Sequence, residues 1–308
     1  MVDIIAGTKR ATGLRCLALM IAVTFAVVWA APAAHAADDA AVKRGGYIFD
    51  AADCVGCHTD VKNNGKRLAG GRALATPFGT FYSPNITPDR DHGVGKWRLE
   101  DFRRALREGT SGHGSYYFPV FPYPAFTGMS DADIGDLWAY LQTQEPVNQA
   151  NKPHEVSLPF SWRFLQIGWR ALFFTEGQLQ PVAGKDAVWN RGNYLANAVV
   201  HCGECHTPRN VMGGLRRSLA FSGNPRGPDN LKVPNITPDP ETGIGKWSIA
   251  EIAEVLKTGQ TPGFDTVGSG MGEVVKGTAK LTDADREAIA VYVKSLPPIV
   301  TAKLAKKE

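Results

Sequence analysis

The string CVGCH at residues 54–58 recurs as CGECH at residues 202–206, and these two strings decide how the chain folds. Each places two cysteines three positions apart and a histidine directly after the second. Two thiols at this spacing can add to the two vinyl groups of a haem, and the next residue can turn its imidazole toward the iron. The strings predict two covalently bound haem c groups. The attachment residues are Cys54, Cys57, Cys202 and Cys205, and the axial iron ligands are His58 and His206.

Other uses of paired cysteines in an exported protein are disulfides, redox pairs and zinc sites. A thioredoxin-like redox pair lies beside a βαβ pattern, and no parallel-strand pattern surrounds either string. Zinc knuckles usually separate their two pairs by about 15–20 residues, whereas these pairs begin at residues 54 and 202. A histidine directly after both pairs is improbable by chance, so haem attachment is the favoured interpretation.

The chain contains an internal repeat with a period of about 150 residues, which indicates a duplicated unit. The string PNITPD occupies residues 84–89 and again residues 234–239, and each copy precedes a glycine-rich turn and a tryptophan. A further match pairs SDAD at residues 130–133 with TDAD at residues 282–285. Matches in the same order with a near-constant offset predict two similarly folded domains.

Sequence patterns predict three main helices in each unit. The first contains residues 44–47 or 191–194, where a small residue beside an aromatic one permits a close helix crossing. The middle helix of the second unit begins near Ser248 with Glu251 at capping-box spacing. Its counterpart in the first unit ends at Gly109.

The last helix of each unit begins at Ser130 or Thr282, both good N-caps. Its apolar residues recur at i, i+3, i+4 and i+7 and form one face. We expect this face to pack on the first helix and the haem. The residues are Ile134, Leu137, Trp138 and Leu141 in the first copy and Ile289, Tyr292, Val293 and Leu296 in the second.

Each unit resembles a class I cytochrome c, and the whole chain is similar to the cytochrome c subunits of bacterial membrane-bound alcohol, gluconate and aldehyde dehydrogenases. The shared features are the Cys-x-x-Cys-His strings, the PNITPD strings with their following G-x-G-x-W, and FPYP at residues 121–124. The resemblance implies an all-α fold of two tandem class I cytochrome c domains with an irregular, aromatic-rich linker. Those subunits usually carry three haem motifs and this chain has two, so the resemblance supports the fold more strongly than the dehydrogenase partner.

The N-terminus has the features of a signal peptide over residues 1–36. Basic residues precede an uncharged, mostly apolar run from Cys16 to Ala31, and the small-x-small string at residues 34–36 fits a cleavage site. A retained membrane anchor is the alternative. We therefore expect export to the periplasm. The predicted organisation is cytochrome domains at residues 37–147 and 183–300, a linker at residues 148–182 and a charged tail at residues 301–308.

The second axial ligand of the iron is predicted to differ between the two units. Met271, in a glycine-rich loop before the last helix, is the candidate for the second haem, since methionine is usual at this place in such cytochromes and raises the potential. In the first unit Phe121 stands where the related triple-haem subunits carry a methionine. Met129 is the candidate nearest in sequence, but it holds the place of a hydrophobic staple before a helix cap.

Two further arrangements remain for the first iron. His113 lies in a Gly-His-Gly loop and could reach it, or the iron could stay five-coordinate behind the aromatic residues 116–118. Met212 follows the second haem motif and is expected to be structural filler. We therefore expect the two haems to differ electronically.

The linker is aromatic and basic at its centre, where residues 160–174 include four phenylalanines, two tryptophans and two arginines. One interpretation is a connector packed across both domains that holds the haems at a fixed separation. The other is a surface for a partner subunit or for peripheral membrane association, where aromatic residues and arginines are favoured.

Composition and motifs narrow the function to electron transfer. The formal net charge is +4 without a concentrated basic face, so nucleic-acid binding is not indicated. No Ser-His-Asp grouping, phosphate loop or nucleotide fingerprint is present. We expect a dehydrogenase catalytic subunit as electron donor and an oxidase, a soluble cytochrome or quinone as acceptor. The alternative is a di-haem enzyme, a peroxidase or an oxidase of a small inorganic substrate, that uses an open first haem.

Overall fold

The computed structural model describes residues 38–301, which all belong to one compact unit. The predicted signal peptide at residues 1–36 and residues 302–308 of the predicted tail lie outside the described residues. Within the described part of the chain, no helix combines the length and the apolar character needed to cross a membrane. Below, "first half" means residues 38–147 and "second half" means residues 183–301.

The described chain is mainly helical. The first half contains α1 (Asp39–Ala51), α2 (Cys54–His58), β1 (Ala73–Thr76), β2 (Gly79–Tyr82), α3 (Leu99–Glu108), α4 (Tyr123–Phe126) and α5 (Asp131–Leu141). The segment between the halves contributes β3 (Glu155–Val156) and α6 (Leu165–Phe173). The second half contains α7 (Ala187–Tyr194), a π-helical turn (Leu195–Val199), α8 (Cys202–His206), α9 (Ile249–Thr258), α10 (Ser269–Thr278) and α11 (Asp283–Lys294).

The all-α expectation is only approximate, because the chain also forms a small antiparallel sheet in the order β1-β2-β3. β1 and β2 make a tight hairpin that pairs Thr76 with Gly79. β3 comes from the linker and adds to the free edge of β2. Strands this short carry little periodic signal in the sequence, and the hairpin is completed here by a third strand that comes from the linker.

The helix boundaries follow the predicted capping residues. Ser130 and Thr282 accept hydrogen bonds from the third residue of α5 and α11. Ser248 and Glu251 form the capping box of α9. Gly109 ends α3 in the left-handed conformation that glycine adopts without strain.

One local prediction is wrong: Met271 lies within α10 and not in a loop. Gly270 and Gly272 flank it and suggested a loop, because glycine is a poor helix former. The helix forms nevertheless because it packs on α1 and α9. Tertiary contacts of this kind commonly override a weak local propensity.

The core of each half rests on a close crossing of its first and last helices. α1 packs on α5, and α7 packs on α11. A Cβ atom at Gly45 would lie 1.9 Å from the Asp136 carbonyl oxygen, and one at Gly192 would lie 1.9 Å from the Ala288 oxygen. Only glycine permits these backbones to approach so closely, as the sequence predicted for both positions.

The two halves exchange tyrosine hydrogen bonds. The Tyr47 hydroxyl on α1 donates to Asp285 Oδ2 over 2.6 Å and accepts from the Thr282 amide over 3.0 Å. Reciprocally, the Tyr194 hydroxyl on α7 donates to Asp133 and accepts from the Ser130 amide over 3.0 Å. Each tyrosine therefore binds the start of the last helix in the other half, which fixes the halves against each other.

We predict that an alanine at either crossing glycine destabilises the protein. Gly45→Ala and Gly192→Ala should each lower the unfolding free energy by about 2 kcal/mol or more, because the added carbon forces the helices apart. Gly135→Ala is the matched control: it lies within α5 with open space around it. It should raise the unfolding free energy by about 0.5–1 kcal/mol through helix propensity. Denaturant unfolding of the haem-loaded protein measures all three, and equal effects at Gly45 and Gly135 would contradict the crossing.

Candidate haem-binding sites

Each Cys-x-x-Cys-His string forms one short helix that begins directly after a left-handed residue. Asp53 precedes α2 with φ 49°, and His201 precedes α8 with φ 47°. The Asp53 carboxylate caps α2 by accepting from the Gly56 amide over 3.1 Å. Positions three apart on a helix share a face. The turn therefore places both thiols of a string side by side, with the histidine next to them.

The thiols are unpaired and lie in protein surroundings that disfavour charge. The four motif cysteines form no disulfide. Burial raises the pKa of Cys57 and of Cys205 to about 11 and that of Cys202 to about 12, although Cys57 shows part of its side chain to solvent. A site that disfavours thiolate suits an uncharged thioether to haem better than a zinc–thiolate centre.

The two motif histidines are oriented by backbone carbonyl groups of the PNITPD strings. His58 Nδ1 lies 2.8 Å from the Pro84 oxygen, and His206 Nδ1 lies 2.8 Å from the Pro234 oxygen. Since a carbonyl can only accept, Nδ1 carries the proton and Nε2 keeps its lone pair. Burial also lowers the pKa of both histidines, which favours the neutral ring. A neutral imidazole held through Nδ1 has the state and orientation of an iron ligand.

The remaining residues of the PNITPD strings hold these carbonyl groups in place. Asn85 donates to the Val147 oxygen over 2.7 Å and accepts from the Thr87 amide over 2.9 Å. Asn235 repeats the arrangement with the Ile299 oxygen at 2.7 Å and the Thr237 amide at 2.8 Å. Each string is therefore fastened to the chain that follows the last helix of its half. The sequence marked the strings as repeated but could not say what they do.

Two glycines allow the chain that follows each motif to pass close to the PNITPD string. Neither glycine was singled out from the sequence. Gly70 donates its amide to the His58 oxygen, and Gly223 donates to the His206 oxygen, both over 2.8 Å. Their φ angles are +74° and +91°, and a Cβ on Gly70 would lie 2.5 Å from the Ser83 oxygen. Gly70 and Gly223 occupy equivalent positions in the repeat, and this equivalence is the sequence signal that could have identified them.

The two motifs lie close together at the contact between the halves. His201 Nε2 is 3.4 Å from the Ala52 oxygen, just before the first motif. Besides burial and Glu204, the neighbouring Cys57 raises the pKa of Cys205. Arg72 of the first half pairs with Asp229 of the second over 3.6 Å. The arrangement brings the two Cys-x-x-Cys-His motifs together at the contact between the halves.

The candidate sixth ligands, and Met212, differ in how deeply their side chains are buried. Met271 is half-buried at the start of α10 and packs against the apolar core. Met129 is fully buried in that core, and its carbonyl accepts from Arg107 over 2.8 Å. His113 is exposed on its loop. Met212 is half exposed and accepts a bond from the Trp169 indole through its carbonyl.

Comparison with known proteins agrees with this geometry. The cytochrome c family pattern matches residues 42–145. A protein described as a diheme cytochrome c-type, from Cereibacter sphaeroides, is 42% identical over 264 residues, which cover 83% of this chain and 86% of the relative. This chain belongs to the cytochrome c family. As a member, it carries two covalent haem c groups, which supply one-electron redox chemistry.

Other relatives of this cytochrome c are larger. The fructose dehydrogenase cytochrome subunit of Gluconobacter japonicus is 38% identical, over 86% of this chain and 54% of the relative. The gluconate 2-dehydrogenase cytochrome c subunit of Pantoea cypripedii is 39% identical, over 87% of this chain and 62% of the relative. The chain therefore spans little more than half the length of these subunits. They confirm the predicted resemblance, and the family role is electron transfer.

We predict that Asp53 makes stability depend on pH. Burial raises the pKa of this carboxyl from its usual 3.8 to about 6, against the opposing effect of the Gly56 amide. The folded protein therefore holds this proton where the unfolded chain has lost it. The stability contribution is fully present below about pH 4 and is lost as the pH rises through about 6.

Asp53→Asn keeps an oxygen for the Gly56 amide and removes the buried charge. It should raise the unfolding free energy of the haem-loaded protein by about 1–3 kcal/mol near pH 7.5 and change it little near pH 4. Asp89→Asn is the control of opposite sign, because the His92 amide holds the pKa of Asp89 below its usual value. Unfolding curves measured at both pH values test this assignment. An effect of Asp53→Asn on the unfolding free energy that does not depend on pH would contradict it.

Proposed function

We propose that this cytochrome c relays single electrons in the periplasm from a dehydrogenase catalytic subunit toward the respiratory chain, to an oxidase, a soluble cytochrome or quinone. The observation that carries the proposal is the pair of equivalent sites, in which His58 and His206 are each held by a proline carbonyl. Electron transfer between two such sites, which lie close together at the contact between the halves, requires no acid–base catalyst. The named dehydrogenase subunits among the relatives support the donor.

We also propose two tandem class I cytochrome c domains, at residues 37–147 and 183–300, joined by the linker at residues 148–182. The equivalent helix crossings, capped last helices and fastened PNITPD strings support a duplicated domain. The linker contacts both halves: β3 pairs with β2, and Trp169 on α6 donates to the Met212 oxygen over 3.0 Å. These contacts support its role as a connector.

For the haem ligands, we propose thioether bonds from Cys54, Cys57, Cys202 and Cys205, with His58 and His206 on the irons. Met271 is the proposed sixth ligand of the second haem. The complete burial of Met129 in the core supports a staple rather than a ligand, so the first haem is proposed to lack methionine ligation. Phe121, Tyr117 and Phe126 form an aromatic cluster in the corresponding part of the first half.

The ligand assignment predicts different effects from three methionine substitutions. Met271→Ala should remove the long-wavelength absorption band that accompanies His/Met ligation and lower one of the two reduction potentials. Met129→Ala should leave the band unchanged but cost about 2–5 kcal/mol of unfolding free energy, because it opens a core cavity. Met212→Ala is the control and should change neither. A band that survives Met271→Ala, or disappears in Met129→Ala, would contradict the assignment.

The electron-relay proposal predicts the behaviour of the native protein. Its exported form should have the mass of the processed chain plus two haems and should co-purify with a dehydrogenase subunit. That subunit's substrate should then reduce both haems. In Cys205→Ala with His206→Ala, only the first haem should remain to be reduced.

The same preparation separates this relay from the alternative, a di-haem enzyme with an open first haem. A relay should resist carbon monoxide and cyanide on the time scale of its turnover. Rapid binding at the first haem, together with turnover of peroxide or a sulfur anion and no attached dehydrogenase, would overturn the proposal in favour of the enzyme.

A further inference from the structure

The helix α6 has a covered inner side of mixed character and an uncovered outer side that is apolar. Trp169 and Gln166 face the protein and are buried. Phe164, just before the helix, and Ile167 and Leu172 point outward and are 62%, 60% and 67% exposed. A surface helix normally carries polar residues on the side that faces solvent. The outer side of α6 therefore lacks a partner within the described residues.

The exposed apolar surface extends beyond α6. Trp162 stacks on Phe164 with ring centroids 5.6 Å apart, and Phe160 packs on Phe78 at the β1–β2 turn at 5.0 Å. The tip of a second-half loop joins it, because Trp169 donates to the Met212 oxygen. We call this surface the apolar platform. Its exposed members are Leu158, Phe160, Trp162, Phe164, Leu165, Ile167, Leu172, Val211 and Met212.

The segments that build the platform are basic, although Glu155 and Glu176 lie just outside them. Residues 156–175 and 205–228, which build it, contain no aspartate or glutamate and six arginines. Arg170 faces inward, where its guanidinium lies 4.5 Å from the ring centres of Tyr116 and Phe174. Arg216 and Arg217 are exposed, and no ion pair involves either among the described residues. Arg209 is neutralised by its ion pair with Glu204, so the net positive charge of the rim comes mainly from Arg216 and Arg217.

We propose that the apolar platform is a docking surface for an anionic lipid bilayer, with α6 lying in the interfacial plane. Exposed tryptophan, phenylalanine, isoleucine and leucine beside arginines match the requirements of an interfacial element. Each arginine near an anionic surface adds to the attraction. A protein partner is less well matched, because protein interfaces carry regular hydrogen bonds and the outward side chains of α6 offer none. The proposal does not depend on the identity of the electron donor.

Vesicle flotation of the haem-loaded protein tests the platform. Vesicles containing phosphatidylglycerol should bind it, phosphatidylcholine vesicles should bind it less, and added salt should weaken the binding. The triple variant Phe164→Ser, Ile167→Ser and Leu172→Ser should lower the partition coefficient about tenfold or more. Arg216→Gln with Arg217→Gln should lower it several-fold and reduce its salt dependence.

The matched control replaces three equally exposed apolar residues elsewhere: Val61→Ser, Phe264→Ser and Val300→Ser, at 66%, 84% and 76% exposure. It should bind vesicles like the parent. All variants share the same N-terminus, so any contribution from that segment cancels, and haem content and unfolding curves show that each is folded.

Three results would overturn the proposal. The platform triple variant could bind anionic vesicles as well as its control does. The parent could be a dimer that the platform variant dissociates, which would assign the surface to a second copy. The platform variant could keep its lipid binding and lose a co-purifying catalytic subunit, which would assign it to a protein. None of these results would change the haem count or the electron relay.

Discussion

The hydrogen bond from each motif histidine to a proline carbonyl is the constraint on which the rest of the structure depends. It fixes the protonated nitrogen of His58 and His206 and leaves the other nitrogen free for iron. To hold the carbonyl, the PNITPD string is tied by its asparagine to the end of the domain. To let the string pass so close, Gly70 and Gly223 adopt conformations that other residues avoid.

The reciprocal contacts between the halves give the two sites a fixed relation. Tyr47 and Tyr194 each bind the start of the other half's last helix, so neither half can rotate without breaking these hydrogen bonds. The same contact brings Cys57 near Cys205. Two redox centres held at these motifs would keep a fixed separation, as an electron relay requires.

The segment between the halves has one covered side and one uncovered side. Two of its arginines, Arg163 and Arg170, donate to the carbonyl oxygens of Tyr116 and Glu108 and hold the loop that follows α3. The sequence left two interpretations of these arginines open, a connector packed across both domains or an outer surface shared with the aromatic residues. In the structure both hydrogen-bond to the first half although Arg163 stays exposed, and Arg216 and Arg217 from the second half add exposed positive charge.

The sequence by itself determined the haem strings, the repeat, the capped helices and the glycine crossings, because each depends on neighbours a few positions apart or on exact recurrence. It did not reveal the small sheet, the helical state of Met271, the role of the PNITPD carbonyls or the tyrosine exchange. Those depend on contacts between residues far apart in the chain, such as Tyr47 with Asp285, and no local pattern encodes them. Only the tertiary structure decides which groups meet, because burial and packing select among conformations that local preferences leave nearly equal in energy.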